Sequence, residues 1–107
     1  MRLSIHLVSA ASEGPPVGAL VAVQVRDTTF EDAPAPVIAQ AEALVSQLGQ
    51  LPTVELEIDE LPASAIVWAM VDVDRDGRLS RGDYLTTVSY PISADGPAEM
   101  TIVLRQI

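Results

Sequence analysis

Ala65-Ile66-Val67-Trp68-Ala69-Met70-Val71 runs directly into Asp72-Val73-Asp74-Arg75-Asp76-Gly77-Arg78-Leu79-Ser80-Arg81-Gly82-Asp83. The second part is a twelve-residue D-x-D-x-D-G-x₅-D pattern, the spacing of a calcium loop of the EF-hand kind with Asp in place of Glu at its last position. Both flanks of an EF-hand loop are helices. Here the upstream flank is apolar on both faces, which reads as a central strand or one whose second face is covered. The downstream flank holds Thr86, Thr87, Val88 and Pro91, which favour extended backbone over helix. The stretch therefore predicts a β-hairpin at residues 72–83 whose connection is built around a cation. A dockerin module, which also uses acidic loops, needs two copies with helices after each, and the chain has one.

The loop chemistry follows from the ion. Calcium is a hard cation that takes about six to eight oxygens, and alternate Asp side chains converge on one centre only if the backbone turns sharply after the third. Gly77 permits that turn because it lacks a Cβ. The spacing assigns carboxylate oxygens to Asp72, Asp74 and Asp76, a backbone carbonyl to Arg78, a direct or water-mediated contact to Ser80, and the closing carboxylate to Asp83. Leu79 is expected to point into the core. Asp83 is shorter than Glu, so it is expected to bind through one oxygen, giving weaker calcium affinity and more tolerance of magnesium. The competing reading is a solvated acidic hairpin with a type I′ turn at Asp76-Gly77.

Outward from the loop, the chain is a series of short apolar segments separated by turns. Leu3, Ile5 and Leu7 alternate with Ser4 and His6; Val21, Val23 and Val25 with Ala22, Gln24 and Arg26; Val54, Leu56 and Ile58 with Glu55 and Glu57. A period of two with one polar face marks strands. Tyr84, Thr86, Val88 and Tyr90 read as a further strand stopping at Pro91, and Met100, Ile102 and Leu104 as the last. Residues 36–48 are ambiguous: Ala, Gln, Glu and Leu favour helix by propensity, whereas an extended reading aligns Val37, Ala39, Ala41, Ala43 and Val45 on one face. With that segment counted as a strand, the expected fold is all-β, an antiparallel β-sandwich of about seven strands in one domain spanning residues 1–107.

Composition narrows the function. Fifteen acids stand against six bases, a net charge of −9, so a phosphate backbone would be repelled and nucleic acid is not an expected partner. The absence of cysteine excludes thiolate zinc sites and Cys nucleophiles. No apolar run approaches the roughly 18 residues of a membrane span. The N-terminal stretch Met1–Val8 alternates too closely for a signal peptide, so the sequence as written reads as cytoplasmic, or as periplasmic or envelope-bound if a leader has been removed. Catalysis finds no constellation: His6, the single histidine, sits on the polar face of a strand without a nucleophile motif, and neither a P-loop nor a dinucleotide fingerprint is present. Glu55, Glu57, Asp59 and Glu60 read as a solvated strand face whose geometry does not converge on a second cation. Trp68 and Met70 read as core, or as part of a partner-binding face if the sheet is uncovered there.

Gly18-Ala19-Leu20-Val21-Ala22-Val23-Gln24-Val25-Arg26-Asp27, the turn Asp32-Ala33-Pro34 and the segment Val37-Ile38-Ala39-Gln40, preceded by Pro15-Pro16, resemble the core signature of the YscW/YbaY-type domain. The later segments, with Tyr90-Pro91-Ile92 before the closing strand, run in the same order. That family comprises small β-sandwich lipoproteins of Gram-negative envelopes, including the lipoprotein chaperones, or pilotins, of type III secretion. The resemblance implies that residues 36–45 form a strand and that the module binds a protein. The chain departs from it in having no cysteine to carry a lipid and in expanding one hairpin into the acidic loop. The combined expectation is a non-enzymatic, calcium-binding β-sandwich of pilotin-like type that recognises a protein partner through an exposed apolar sheet face. The alternative is a stand-alone calcium-responsive protein with the loop as switch.

Overall fold

The computed structural model describes residues 1–10, 14–29, 35–48, 50–93, 95–96 and 98–107. The turn Asp32-Ala33-Pro34 lies outside them. The described residues form strands and connections only: β1 (Arg2–Ser9), β2 (Leu20–Asp27), β3 (Val37–Leu44), β4 (Thr53–Glu57), β5 (Ala65–Asp72), β6 (Tyr84–Leu85), β7 (Tyr90–Ile92) and β8 (Glu99–Gln106). The fold is all-β, and among the described residues no helix is long and apolar enough to cross a membrane.

The strands are hydrogen-bonded in the order β3-β2-β5-β6-β8-β1-β4, with β7 also on β5. Every pairing is antiparallel except β1 with β8, which is parallel from Ser4↔Glu99 to Ser9↔Leu104, a departure from the purely antiparallel sandwich expected. One half-sheet holds β3, β2, β5, β6 and β7, and the other holds β8, β1 and β4. Their apolar faces share one core, in which Leu3, Ile5, Val21, Val23, Val25, Ala69, Val71, Ile102 and Leu104 are completely inaccessible. The edge strands β3 and β4 approach each other, so the sheet nearly closes on itself. At the opposite seam two-residue β6 is the strand that bridges β5 and β8, and the Tyr90 hydroxyl of β7 accepts Val103 N–H of β8 at 3.0 Å.

The alternating segments fold as their period dictates, with Val54, Leu56 and Ile58 buried and Glu55 and Glu57 exposed. Residues 37–44 are a strand despite their helical propensity. They pair with β2 from Leu20↔Leu44 to Arg26↔Val37, and Ala39, Ala41 and Ala43 pack against the core. Tertiary pairing thus overrides a preference of a few tenths of a kcal/mol per residue. Val37, expected on that same face, lies beyond a register shift at Val25/Arg26 and is exposed.

The segment after the loop is not the continuous strand expected. Tyr84 and Leu85 pair with Val71 and Met70, and Thr86 continues by donating its N–H to the Ala69 carbonyl at 3.0 Å. Residues 87–89 then loop out, leaving Val88 exposed, before Tyr90, Pro91 and Ile92 pair with Val67, Ile66 and Ala65. Pro91 does not stop the strand. It sits inside β7, which has no second strand partner among the described residues, so the missing proline N–H is tolerated there.

Candidate metal centre

Strand β5 delivers Asp72 to the mouth of the loop, opposite Leu20 of β2, and β6 begins one residue after Asp83. Both of these carboxylates are buried, at 4% and 1% exposure, while Asp74 and Asp76 are exposed. Between Asp72 and Asp83 φ turns positive three times, at Arg75 (57°), Gly77 (79°) and Gly82 (99°). Gly77 adopts that conformation at no steric cost, whereas at Arg75 it is strained. Asp76 has no positive φ, so the turn at Asp76-Gly77 is not the type I′ turn of the competing reading.

The folded loop brings one oxygen from each of Asp72, Asp74, Asp76 and Asp83 within 4.8 Å of one another. Ligands on opposite sides of a calcium ion, bound at 2.3–2.6 Å, are about 4.6–5.2 Å apart, so the spread of the four oxygens is no wider than the span across such an ion. The hydrogen bonds explain how the loop reaches this shape. Gly77 N–H donates to Asp72 Oδ2 at 2.9 Å, folding the sixth position back over the first. Asp76 N–H donates to Asp74 Oδ1 at 3.4 Å, and Arg78 N–H to Asp76 Oδ1 at 2.8 Å.

Asp72 Oδ1 is the one buried side-chain oxygen or nitrogen among the described residues without a hydrogen-bond partner. A buried, unpartnered carboxylate oxygen costs free energy unless a cation or proton completes it. The charges point the same way. Burial works to raise the Asp72 carboxyl, but the N–H groups of Gly77, Arg75 and Asp76 and a proton shared with Asp74 hold it below the usual range. Sharing that proton, together with burial and the neighbouring Asp76, pushes Asp74 up.

Asp83 has a role that spacing did not disclose. Its Oδ1 accepts Val73 N–H at 2.9 Å and its Oδ2 accepts Ser80 N–H at 2.9 Å, with Ser80 Oγ at 3.4 Å. It clamps the entrance and exit of the loop together, and its carboxylate is occupied in a way that suits one metal bond at most. Ser80, expected as a ligand, directs its hydroxyl to Asp83. Arg78 is exposed, and its N–H is turned back onto Asp76 Oδ1. Leu79 is 44% exposed and does not enter the core, a correction to the expected inward side chain: the clamp on Ser80 and Val73 turns this part of the loop toward solvent.

Elsewhere, His6 Nδ1 lies 3.1 Å from Thr53 Oγ1 on the sheet exterior, where it was expected. Trp68 is half-buried on the outer face of β5 with the Arg26 guanidinium 4.5 Å above its ring. Gln24 Oε1 accepts from both Nε and an Nη of that arginine, at 3.0 and 2.8 Å.

No family model matches the chain, and no curated protein matches it. Among solved structures it is similar to an alternative pilotin from the type II secretion system of Vibrio cholerae, with a TM-score of 0.80 and 24% identity over 100% of this chain and 96% of that one. What the likeness shows is the fold. A pilotin-like sandwich, which the sequence resemblance implied, is therefore the architecture; the YscW/YbaY family itself is matched by no family model.

Proposed function

We propose that this chain is a non-enzymatic β-sandwich interaction module of pilotin-like type, stabilised by calcium held in the 72–83 loop. The observation that carries the calcium reading is the buried, unpartnered Oδ1 of Asp72, whose carboxylate lies in a cluster with three others, one oxygen of each within 4.8 Å. Asp72, Asp74 and Asp76 provide carboxylate oxygens, the Arg78 carbonyl and Ser80 complete the shell, and Asp83 closes it while clamping the backbone. The pilotin-like fold supports a protein partner from a secretion system and a place in the cell envelope. Calcium outside cells is abundant enough to fill a site of about 10⁻⁴ M affinity, so in the envelope the ion would be structural.

Calorimetric titration with calcium and with magnesium, paired with thermal unfolding in EDTA, tests the cation. Free calcium at a hundred times the dissociation constant should add about 2.7 kcal/mol of stability. Asp76→Ala should remove that gain, and a wild-type protein indifferent to calcium would sink the reading. The partner is tested by capture from an envelope extract with Trp68→Ala and Arg26→Ala beside wild type. Equal capture by all three counts against recognition through that sheet face.

A further inference from the structure

We infer that calcium in this loop also locks the seam between the two half-sheets, transmitting occupancy from Asp72–Asp83 to residues 105–107; the inference rests on the calcium reading just given. Asp83 is the residue through which this happens. Its carboxylate belongs to the cluster and clamps Val73 and Ser80, while its backbone carbonyl accepts Ile107 N–H at 2.9 Å. One residue earlier, Gly82 N–H donates to the Ile107 carbonyl at 2.7 Å, and the Gly82 carbonyl accepts Gln106 Nε2 at 3.1 Å. Tyr84 and Leu85 then carry the ladder, paired with Val71 and Met70 on one side and with Gln106 and Arg105 on the other.

The far side of β8 makes this seam sensitive. Strand β1 pairs with β8 only as far as Leu104, where Ala10 N–H also donates to the Leu104 carbonyl. Beyond that point, the pairing of residues 105–107 passes to residues 82–85. An ion bonded to both Asp72 and Asp83 staples the end of β5 to the start of β6, fixing the neck of the hairpin that presents those residues. With the ion removed, four carboxylates crowd one centre and repel one another, and of the N–H bonds that hold them only the two to Asp83 tie the exit of the loop to its entrance. The neck then opens more often, and residues 105–107 lose their holding edge with it.

The test combines calorimetry and amide hydrogen exchange on the same full-length protein, in calcium and in EDTA, for wild type and Asp74→Asn. Asp74 is exposed, and its replacement by Asn keeps an oxygen to accept Asp76 N–H, so the fold survives while a cation ligand weakens. The expected result is calcium binding together with slowing of exchange by about tenfold or more at Gly82 and Ile107. Amides of β2, which open with the whole fold, should slow only by the factor that the gain in global stability sets, and both effects should be lost in Asp74→Asn. Binding with protection confined to residues 72–81 overturns the coupling and leaves the metal site standing. An absence of binding overturns both.

Discussion

Strand β5 and the loop that continues it are both buried where they meet, but by opposite means. Ala65, Val67, Ala69 and Val71 are at most 2% exposed because apolar side chains from both half-sheets close over them. A few residues on, Asp72 and Asp83 are equally inaccessible, yet they are ionisable groups satisfied by backbone N–H donors, with one oxygen left over. Packing of the first kind is indifferent to ions and pH. Burial of the second kind is conditional, because its stability depends on what positive charge is at hand. One continuous hairpin thus contains a permanent half and a half that responds to solution.

The contrast can be broken first on its permanent side. Ile5→Ala, at a completely buried site facing both half-sheets, should cost about 2–5 kcal/mol in urea unfolding, with the same loss in calcium and in EDTA. A loss that changed with calcium would show that the core and the loop are not separable. Asp83→Ala comes next: it strips Val73 and Ser80 of their acceptor and should cost about 1–3 kcal/mol in EDTA, and more in calcium, when the same unfolding experiment is run in both. Equal losses in the two media would reduce Asp83 to a backbone clamp without a metal role.

A smaller change sharpens the comparison from within the loop. Arg75→Gly relieves a left-handed φ of 57° and removes a positive charge beside the cluster. It should raise the calcium affinity measured by titration and recover up to about 1 kcal/mol of loop strain. The smallest expected effect lies outside the loop, at Asp27. Its carboxyl is lowered chiefly by the hydrogen bonds from Thr29, whose N–H donates to Oδ1 at 2.9 Å. A lowered acid stabilises the fold above its unfolded value of 3.8, and that contribution is lost as pH falls through the folded value. Asp27→Asn should flatten stability slightly in that acid range when thermal midpoints are measured against pH. It should do so identically with and without calcium.

Much of the fold was legible because burial writes a period of two into β1, β2 and β4, and a two-faced apolar run into β5. Local preference misled at β3, where Ala, Gln and Glu carry helical propensity and only pairing along the whole of β2 makes the strand. It misled again over residues 84–90, because alternation persists through Thr86 and Val88 although the chain bulges there between two registers on β5. The parallel β1–β8 pair joins segments nearly a chain length apart and leaves no local trace. At the candidate site, the four carboxylates that the spacing singles out lie together in the folded loop. It could not disclose the double duty of Asp83 or the outward turn of Leu79, since spacing records which residues recur and not which N–H groups they bind.

Trp68 is the single tryptophan of the chain, half-buried on the outer face of β5 with the Arg26 guanidinium stacked over its ring. It is therefore a built-in optical probe. Its emission reports on one known surface position, with no second indole to confuse the signal and no label to introduce. A partner settling on that face would displace water or Arg26 from the ring and shift the emission, whereas an ion entering the loop near Asp72, two register steps beyond Met70, would leave the ring itself untouched. One spectrum can thus tell occupancy of the face from occupancy of the loop.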